Sequence, residues 1–218
     1  MDSSSSSSTW SRQRGQPGEQ LWERPGNGAR SIAPAVAGVI SHEAVAEPTE
    51  IRRLAAGDLR ERLDALAGVL HDCVEGGASV SYLAPFSREQ ARDAFEAVAA
   101  EVEQGRRLLL AAFASGDLIG TVQVILALPP NQPHRAEIAK LLVHRSARGR
   151  GVARLLMERA EVEARAEGKT LLVLDTVTGS TAERLYERLG WTSAGVIPGY
   201  ALYPDGRPCD ATIFWKSL

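Results

Sequence analysis

The chain has 218 residues, 44% of them hydrophobic and 24% charged, with a formal net charge of −2. That is a globular composition with room for one sizeable domain, and it excludes the broad positive field of a general nucleic-acid binder. No apolar run approaches the roughly 18 residues that a membrane span needs. Cys73 and Cys209 stand far apart with no CxxC or metal-ligand spacing, which predicts reduced thiols in a cytoplasmic protein.

Residues 1–48 open on a run of six serines, Ser3 to Ser8, and continue rich in Gly, Pro and polar residues. This composition predicts a disordered tail in which Trp10 and Trp22 are isolated. It carries no secretory apolar region, and the apolar stretch 32–40 is a weak strand candidate within it. The ordered domain is expected over residues 49–218.

A short strand begins at Ile51. Leu59, Leu63, Leu66 and Leu70 then recur at helical spacing behind Asp58, read as an N-cap. Ser87 and Gln90 form a capping-box pair ahead of Ala91, Ala94, Phe95, Val98 and Val102, with Gly105 as the stop. Two apolar runs, 106–114 and 118–128, flank Ser115-Gly116-Asp117 as a hairpin.

Ala136–Val143 reads as a strand. A helix is expected over 150–167, with Val152, Leu155, Leu156 and Ala160 inward and Gly168 at its end. The continuous apolar run 170–176 suits a strand covered on both faces. Ser180 and Glu183 open a last helix that stops before Gly190. Residues 193–202 and 210–218 close the chain as strands, joined through a Pro/Gly-rich stretch at 198–211. The order predicts an α/β protein, a central mixed β-sheet flanked by helices on both faces.

The segment His144–Ala153, HRSARGRGVA, has the strongest chemical signal. A helix N-terminus exposes unpaired N–H groups and roughly half a positive charge. Gly149 and Gly151 let an anion approach the backbone, and Arg148 and Arg150 add formal charge, so the turn reads as a phosphate or diphosphate cradle. It is not a P-loop, because GxxxxGK[ST] is absent. It is not a Rossmann turn either, because Arg154 stands where the third glycine belongs. The plainer alternative is a glycine-relaxed loop with solvated arginines.

Arg148-Gly149-Arg150-Gly151-Val152-Ala153 resembles the (Q/R)-x-x-G-x-(G/A) signature of the GNAT superfamily of acyl-CoA-dependent N-acetyltransferases. The likeness follows element order over about 50–218 and is most specific over 135–200. It implies acetyl-CoA as cosubstrate, with its diphosphate held by Arg148, Gly149, Arg150, Gly151, Val152 and Ala153. It also implies that backbone groups of Leu141, Leu142 and Val143 hold the pantetheine arm and polarise the acetyl carbonyl. Residues 134–149, 171–176, 181–191 and 194–206 are similar to the tabtoxin-resistance subgroup, which acetylates the amino group of a small toxin amino acid. One departure is visible: where many members carry Asn seven residues before the helix tyrosine, this chain has Gly179.

Acetyl transfer needs a neutral amine, a stabilised oxyanion and a proton for the leaving thiolate. Glu137 lies in the strand before the loop. Alternation places it on the face of Leu141 and Val143, provided no bulge intervenes. It is either a base or amine anchor, or an ion-pair partner of Arg135 or Lys140. Asp175 ends a strand where ligands of open α/β sheets gather; otherwise it is a turn carboxylate. Tyr186 shares an inward helical arc with Ala182, Leu185 and Leu189, a position usually given to core. The resemblance makes Glu137 and Asp175 the bases and Tyr186 the general acid. Tyr200, in the late Pro/Gly-rich stretch, is a candidate acceptor contact, whereas Tyr203 reads as an ordinary turn residue.

No histidine pair has metal-ligand spacing, so no metal is expected. No cysteine adjoins the loop in sequence, which favours direct transfer in a ternary complex. The resulting expectation is an acetyl-CoA-dependent N-acetyltransferase acting on a small-molecule primary amine, as a monomer or homodimer, with no nucleic-acid or membrane partner. Its rivals are a protein lysine or N-terminal acetyltransferase and a non-catalytic CoA-binding sensor.

Overall fold

The computed structural model describes residues 48–218; the expectations for a tail at 1–48 and a strand at 32–40 fall outside it, apart from residue 48. Seven strands form one sheet in the order β1-β2-β3-β4-β5-β7-β6. They are β1 (Glu50–Leu54), β2 (Arg107–Ala114), β3 (Asp117–Ile125), β4 (Arg135–Val143), β5 (Leu171–Val177), β6 (Thr192–Leu202) and β7 (Pro208–Ser217). The helices are α1 (Ala56–Glu61), α2 (Leu63–Glu75), α3 (Arg88–Glu103), α4 (Val152–Ala166) and α5 (Thr181–Arg188). The mixed α/β architecture read from the sequence is the one observed.

Two cores sandwich the sheet. On one face α1, α2 and α3 bury Leu59, Leu66, Leu70 and Phe95 against Leu109, Ala111 and Leu142. On the other, α4 and α5 bury Leu156, Met157, Ala160 and Tyr186 against Leu108, Leu110, Val122, Val124 and Ile138. Alternate residues of β2 and β3 serve opposite cores, as strand geometry requires.

Local chemistry explains most boundaries. Ser87 accepts from the Gln90 amide at 3.1 Å, and the Gln90 side chain accepts from the Ser87 amide at 2.8 Å, a complete capping box. Ser115 and Gly116, with φ of 50° and 85°, make the two-residue turn that joins Ala114 to its partner Asp117.

Three expectations need correction. The helix behind Asp58 is two helices broken at Arg62. Ala55 is the N-cap of the first, and Asp58 lies within its first turn, where a carboxylate complements the helix dipole. The Ser180–Glu183 box is half formed: Ser180 accepts from the Glu183 amide, but the Glu183 carboxylate reaches the Gly179 amide and accepts from the Thr212 hydroxyl. The stretch 198–211 is mostly strand. β6 runs to Leu202 and β7 starts at Pro208, and the irregularity lies between Ile197 and Ala201, where Pro198-Gly199-Tyr200 bulges and the Gly199 amide donates to Asp210.

The feature that creates the site is a divergence of neighbours. β4 pairs in parallel with β5 only from Arg135–Leu171 to Glu137–Val173. Beyond that, β4 stays with β3 as far as Val143, and β5 stays with β7 as far as Val177. The strands splay apart and leave an opening in the middle of the sheet.

Candidate active site

A cleft of about 850 Å³ occupies this opening. β4 contributes Glu137 to Leu141, β5 contributes Asp175 to Val177, and α5 contributes Ala182 and Tyr186. The far wall is the segment Gly77–Leu83 together with Tyr200 to Tyr203. These two wall segments are pinned together: Ser79 Oγ donates to the Leu202 carbonyl at 2.7 Å and the Ala84 amide to the Pro204 carbonyl at 2.8 Å.

Glu137 is registered with Val173, and Asp175 is two residues further along β5, so both carboxylates share one face of the sheet. Neither forms an ion pair among the described residues; Arg135 instead bonds Gln132, and Lys140 bonds Ser81. The expected face for Glu137 is overturned. Between Thr121–Leu142 and Gln123–Ala139, β4 carries one residue more than β3, a bulge at Lys140–Leu141 with Lys140 at φ 50°. Glu137 therefore lies opposite the face of Leu141 and Val143, which pack on the α4 side. Asp175 does not cap α5; Ser180 does.

Tyr186 packs between Trp191 and Phe214, with ring centroids 6.0 and 5.9 Å away, yet it also lines the cleft. Its hydroxyl has no hydrogen-bond partner among the described residues. Burial, then the charge of Asp175, push its ionisation well above the ordinary tyrosine range, so it stays protonated at neutral pH.

The loop after β4 is a single 3-10 turn, Arg145–Ala147, followed by Gly149 and Gly151 with φ of 77° and 80°. The helix begins at Val152, two residues later than expected, with Gly151 as a left-handed N-cap. A Cβ at either glycine would meet nothing within 4 Å but would be strained by the backbone. The other four helices carry an acid in the first turn, whereas α4 carries none. The first intrahelical donor is Leu155, bonded to the Gly151 carbonyl, which leaves the preceding amides open to an anion.

The arginines divide. Arg150 is exposed and makes no ion pair among the described residues. Arg148 folds back: its Nε donates to the Val143 carbonyl at 3.0 Å, and Nη2 lies 3.8 Å from Cys73 Sγ. Arg145 is held by Asp72, through its backbone amide at 2.9 Å and through its guanidinium. Leu142 and Val152 are each 2% exposed, so their side chains belong to the core.

Several cleft residues escaped the sequence reading. Lys140 figured there only as a partner for Glu137, and Ser81, Tyr82 and Arg107 were unassigned. Cys73, remote in sequence, reaches the loop, with its thiol 3.6 Å from the Val143 carbonyl. Burial raises the ionisation of that thiol against the opposing pull of Arg148. Cys209 lines the cleft, and both cysteines are free. The one signal that would have flagged the far wall is the ten-residue span from Gly76 to Pro85, which carries Val80, Tyr82 and Leu83 between two helices. Among the described residues no group of three or more His, Cys, Asp or Glu side chains is arranged to hold a metal, and no helix is long and apolar enough to cross a membrane.

Two carboxylates and a protonated tyrosine line the cleft between the splayed strands, and a basic glycine turn opens the helix that follows β4. Residues 77–191 match the model of the Acetyltransferase (GNAT) family. Similar folds include an N-acetyltransferase from Staphylococcus aureus Mu50, with 21% identity and a TM-score of 0.66, covering 78% of this chain and 99% of that one. A ribosomal-protein-alanine N-acetyltransferase from Brucella melitensis has 22% identity and a TM-score of 0.66, again covering 78% and 99%. The yncA protein of Salmonella typhimurium, solved with its cofactor acetyl-CoA, has 22% identity and a TM-score of 0.65, covering 78% and 94%. The chain belongs to the GNAT acetyltransferase family, whose acetyl donor is acetyl-CoA.

Proposed function

We propose that this protein transfers the acetyl group of acetyl-CoA directly to the primary amine of a small, amino-acid-like molecule, within a ternary complex in the cytoplasm. The observation that carries the acceptor class is the closed far wall. Gly77–Leu83 and the β6–β7 end are hydrogen-bonded to each other along that wall, which suits a small molecule better than a running peptide. The sequence likeness to the tabtoxin-resistance subgroup supports the same reading.

The amides of Gly151 to Ala153 and the side chain of Arg150 hold the diphosphate, with Arg148 fixing the strand end beneath it. When bound, acetyl-CoA supplies an activated acetyl thioester. Glu137 and Asp175, directly or through water, take a proton from the acceptor ammonium, which exposes the lone pair that forms the new N–C bond. A backbone amide at Val143 or its neighbours donates to the carbonyl oxygen as it gains charge. Tyr186 gives its proton to the sulfur as the C–S bond breaks, and the second proton, shed by the newly acylated nitrogen, restores the tyrosine.

Thiol release from acetyl-CoA, followed over amino acids, other small amines and N-terminal or lysine peptides, tests the proposal. Release with small amines is the expected result. Release with peptides alone overturns the acceptor class, and tight acetyl-CoA binding without release on any amine overturns catalysis.

A further inference from the structure

We propose that Lys140 is the anion anchor of the acceptor site, holding a carboxylate that the acceptor carries beside its amine. The inference rests on the acetyl-transfer reading above and narrows it to zwitterionic acceptors.

Lys140 stands where two cavities meet. Behind the cleft lies a second pocket of about 220 Å³ with an apolar floor that includes Leu70, Phe95, Val98 and Leu142. Three residues, Tyr82, Arg107 and Lys140, line both spaces. A group held at this junction is in reach of the amine-activating carboxylates on one side and of an apolar recess on the other.

The charges at the junction are unequally matched. Arg107 is met by Glu101 at 2.6 Å and by the Gln123 side chain. Glu137 and Asp175 have no cationic partner within 4 Å among the described residues, and Lys140 has no anionic one. The Lys140 ammonium makes one hydrogen bond, to Ser81 Oγ at 2.7 Å, and lies 6.0 Å from the centre of the Tyr82 ring. Two of its three donors are therefore uncommitted. Burial pulls its basicity below the ordinary lysine value; Asp175 pulls the other way, Arg107 adds to the drop and Glu137 opposes it. Two free carboxylates and one free ammonium in one cleft are the mirror of a zwitterion.

The backbone agrees. Lys140 and Ser81 both adopt positive φ, 50° and 77°, a region that residues other than glycine seldom occupy. The two strained residues are bonded to each other inside the cleft. Strain retained at paired cleft residues is a mark of a functional constraint. The bulge is what turns this lysine out of the regular alternation of β4. In the arrangement that follows, the acceptor ammonium lies toward Glu137 and Asp175, its carboxylate on Lys140, and a short apolar side chain in the recess.

The test compares kcat/KM for α-amino acids with that for their matched α-carboxamides, in the natural protein, in Lys140→Met and in Lys140→Arg. The natural protein should prefer the acids. Lys140→Met should cut the acid-over-amide preference roughly ten- to hundredfold, the worth of one charge-assisted hydrogen bond, and Lys140→Arg should restore part of it. Comparing this ratio between proteins cancels the different amine basicities of the two series. A lysine that only braced Ser81 and Tyr82 would alter both series together, and that result overturns the assignment. Equal use of acids and amides by the natural protein, compared at matched concentrations of neutral amine, overturns it without any variant. Absence of thiol release with both series, while acetyl-CoA still binds, overturns the acetyl-transfer reading and this inference together.

Discussion

The guanidinium Nε of Arg148 donates to the carbonyl of Val143 at 3.0 Å, so the most characteristic residue of the glycine turn is bonded to the strand that precedes it. Arg148 and Arg150 therefore have separable roles. Arg148→Ala should lower the melting temperature by about 2–4 °C, as expected for about 1 kcal/mol in a domain of this size, and should weaken acetyl-CoA binding as the strand end loosens. Arg150→Glu should weaken acetyl-CoA binding roughly tenfold with the melting temperature nearly unchanged. Calorimetric titration beside thermal melts reads both. Equal behaviour of the two variants would refute the division.

Tyr186→Phe removes a hydroxyl with no partner among the described residues and keeps the ring contacts to Trp191 and Phe214. The variant should melt near the natural protein and bind acetyl-CoA equally well, while kcat falls by about 10²-fold, the usual scale of a lost general acid. A matched loss of cofactor affinity would remove Tyr186 from the proton-donor role.

Glu161 is 8% exposed and is held by Lys216 at 2.7 and 2.8 Å and by the indole of Trp191 at 3.2 Å, while Lys216 also donates to the Leu189 carbonyl at 2.7 Å. Lys216→Met strands a buried carboxylate and should cost about 3–5 kcal/mol. The double variant Lys216→Met with Glu161→Gln should recover part of that loss. Urea unfolding of the two variants measures it, and a single variant as stable as the natural protein would show that the network contributes nothing.

Burial raises the Asp72 carboxyl, but the backbone amide and guanidinium of Arg145 outweigh it and hold the group below its ordinary value of 3.8. Unfolding thus raises its proton affinity. Its contribution to stability is complete above that ordinary value and fades as pH falls through the lowered folded one. Between pH 5 and 3 the natural protein should lose more stability than Asp72→Asn, and the two curves should converge at the acid end. Melting temperatures across that window report the difference; parallel curves would contradict it.

Much of the frame was legible because local chemistry decided it. The Ser87–Gln90 box, the Ser115-Gly116 turn and the glycine run before α4 each specify a backbone state within a few residues. What stayed hidden depends on partners remote in the chain. The break at Arg62 left no mark in the pattern, because Leu59 and Leu66, both buried in one core, keep the spacing of an unbroken helix. Lys140 looked like any strand lysine, because a bulge is defined by the count of residues on the opposite strand, which β4 does not contain. The neighbourhood of Cys73 and Val143 spans 70 residues of sequence, and no spacing rule reaches that far.

Side chains along β4 fall into odd and even sets, and the extra residue at Lys140–Leu141 resets the parity. Deleting one residue there would restore regular pairing, with Leu142 still opposite Thr121, so Leu142 would keep its face toward α2 and Val143 its face toward α4. The following turn, tethered through Arg145 to Asp72 on α2, would keep its place, and the loss would fall on the cleft wall that Lys140 and Leu141 form. The extra residue therefore serves the cleft and not the layers: both cores could be built on an unbulged strand, and what would be lost is the outward turn of Lys140.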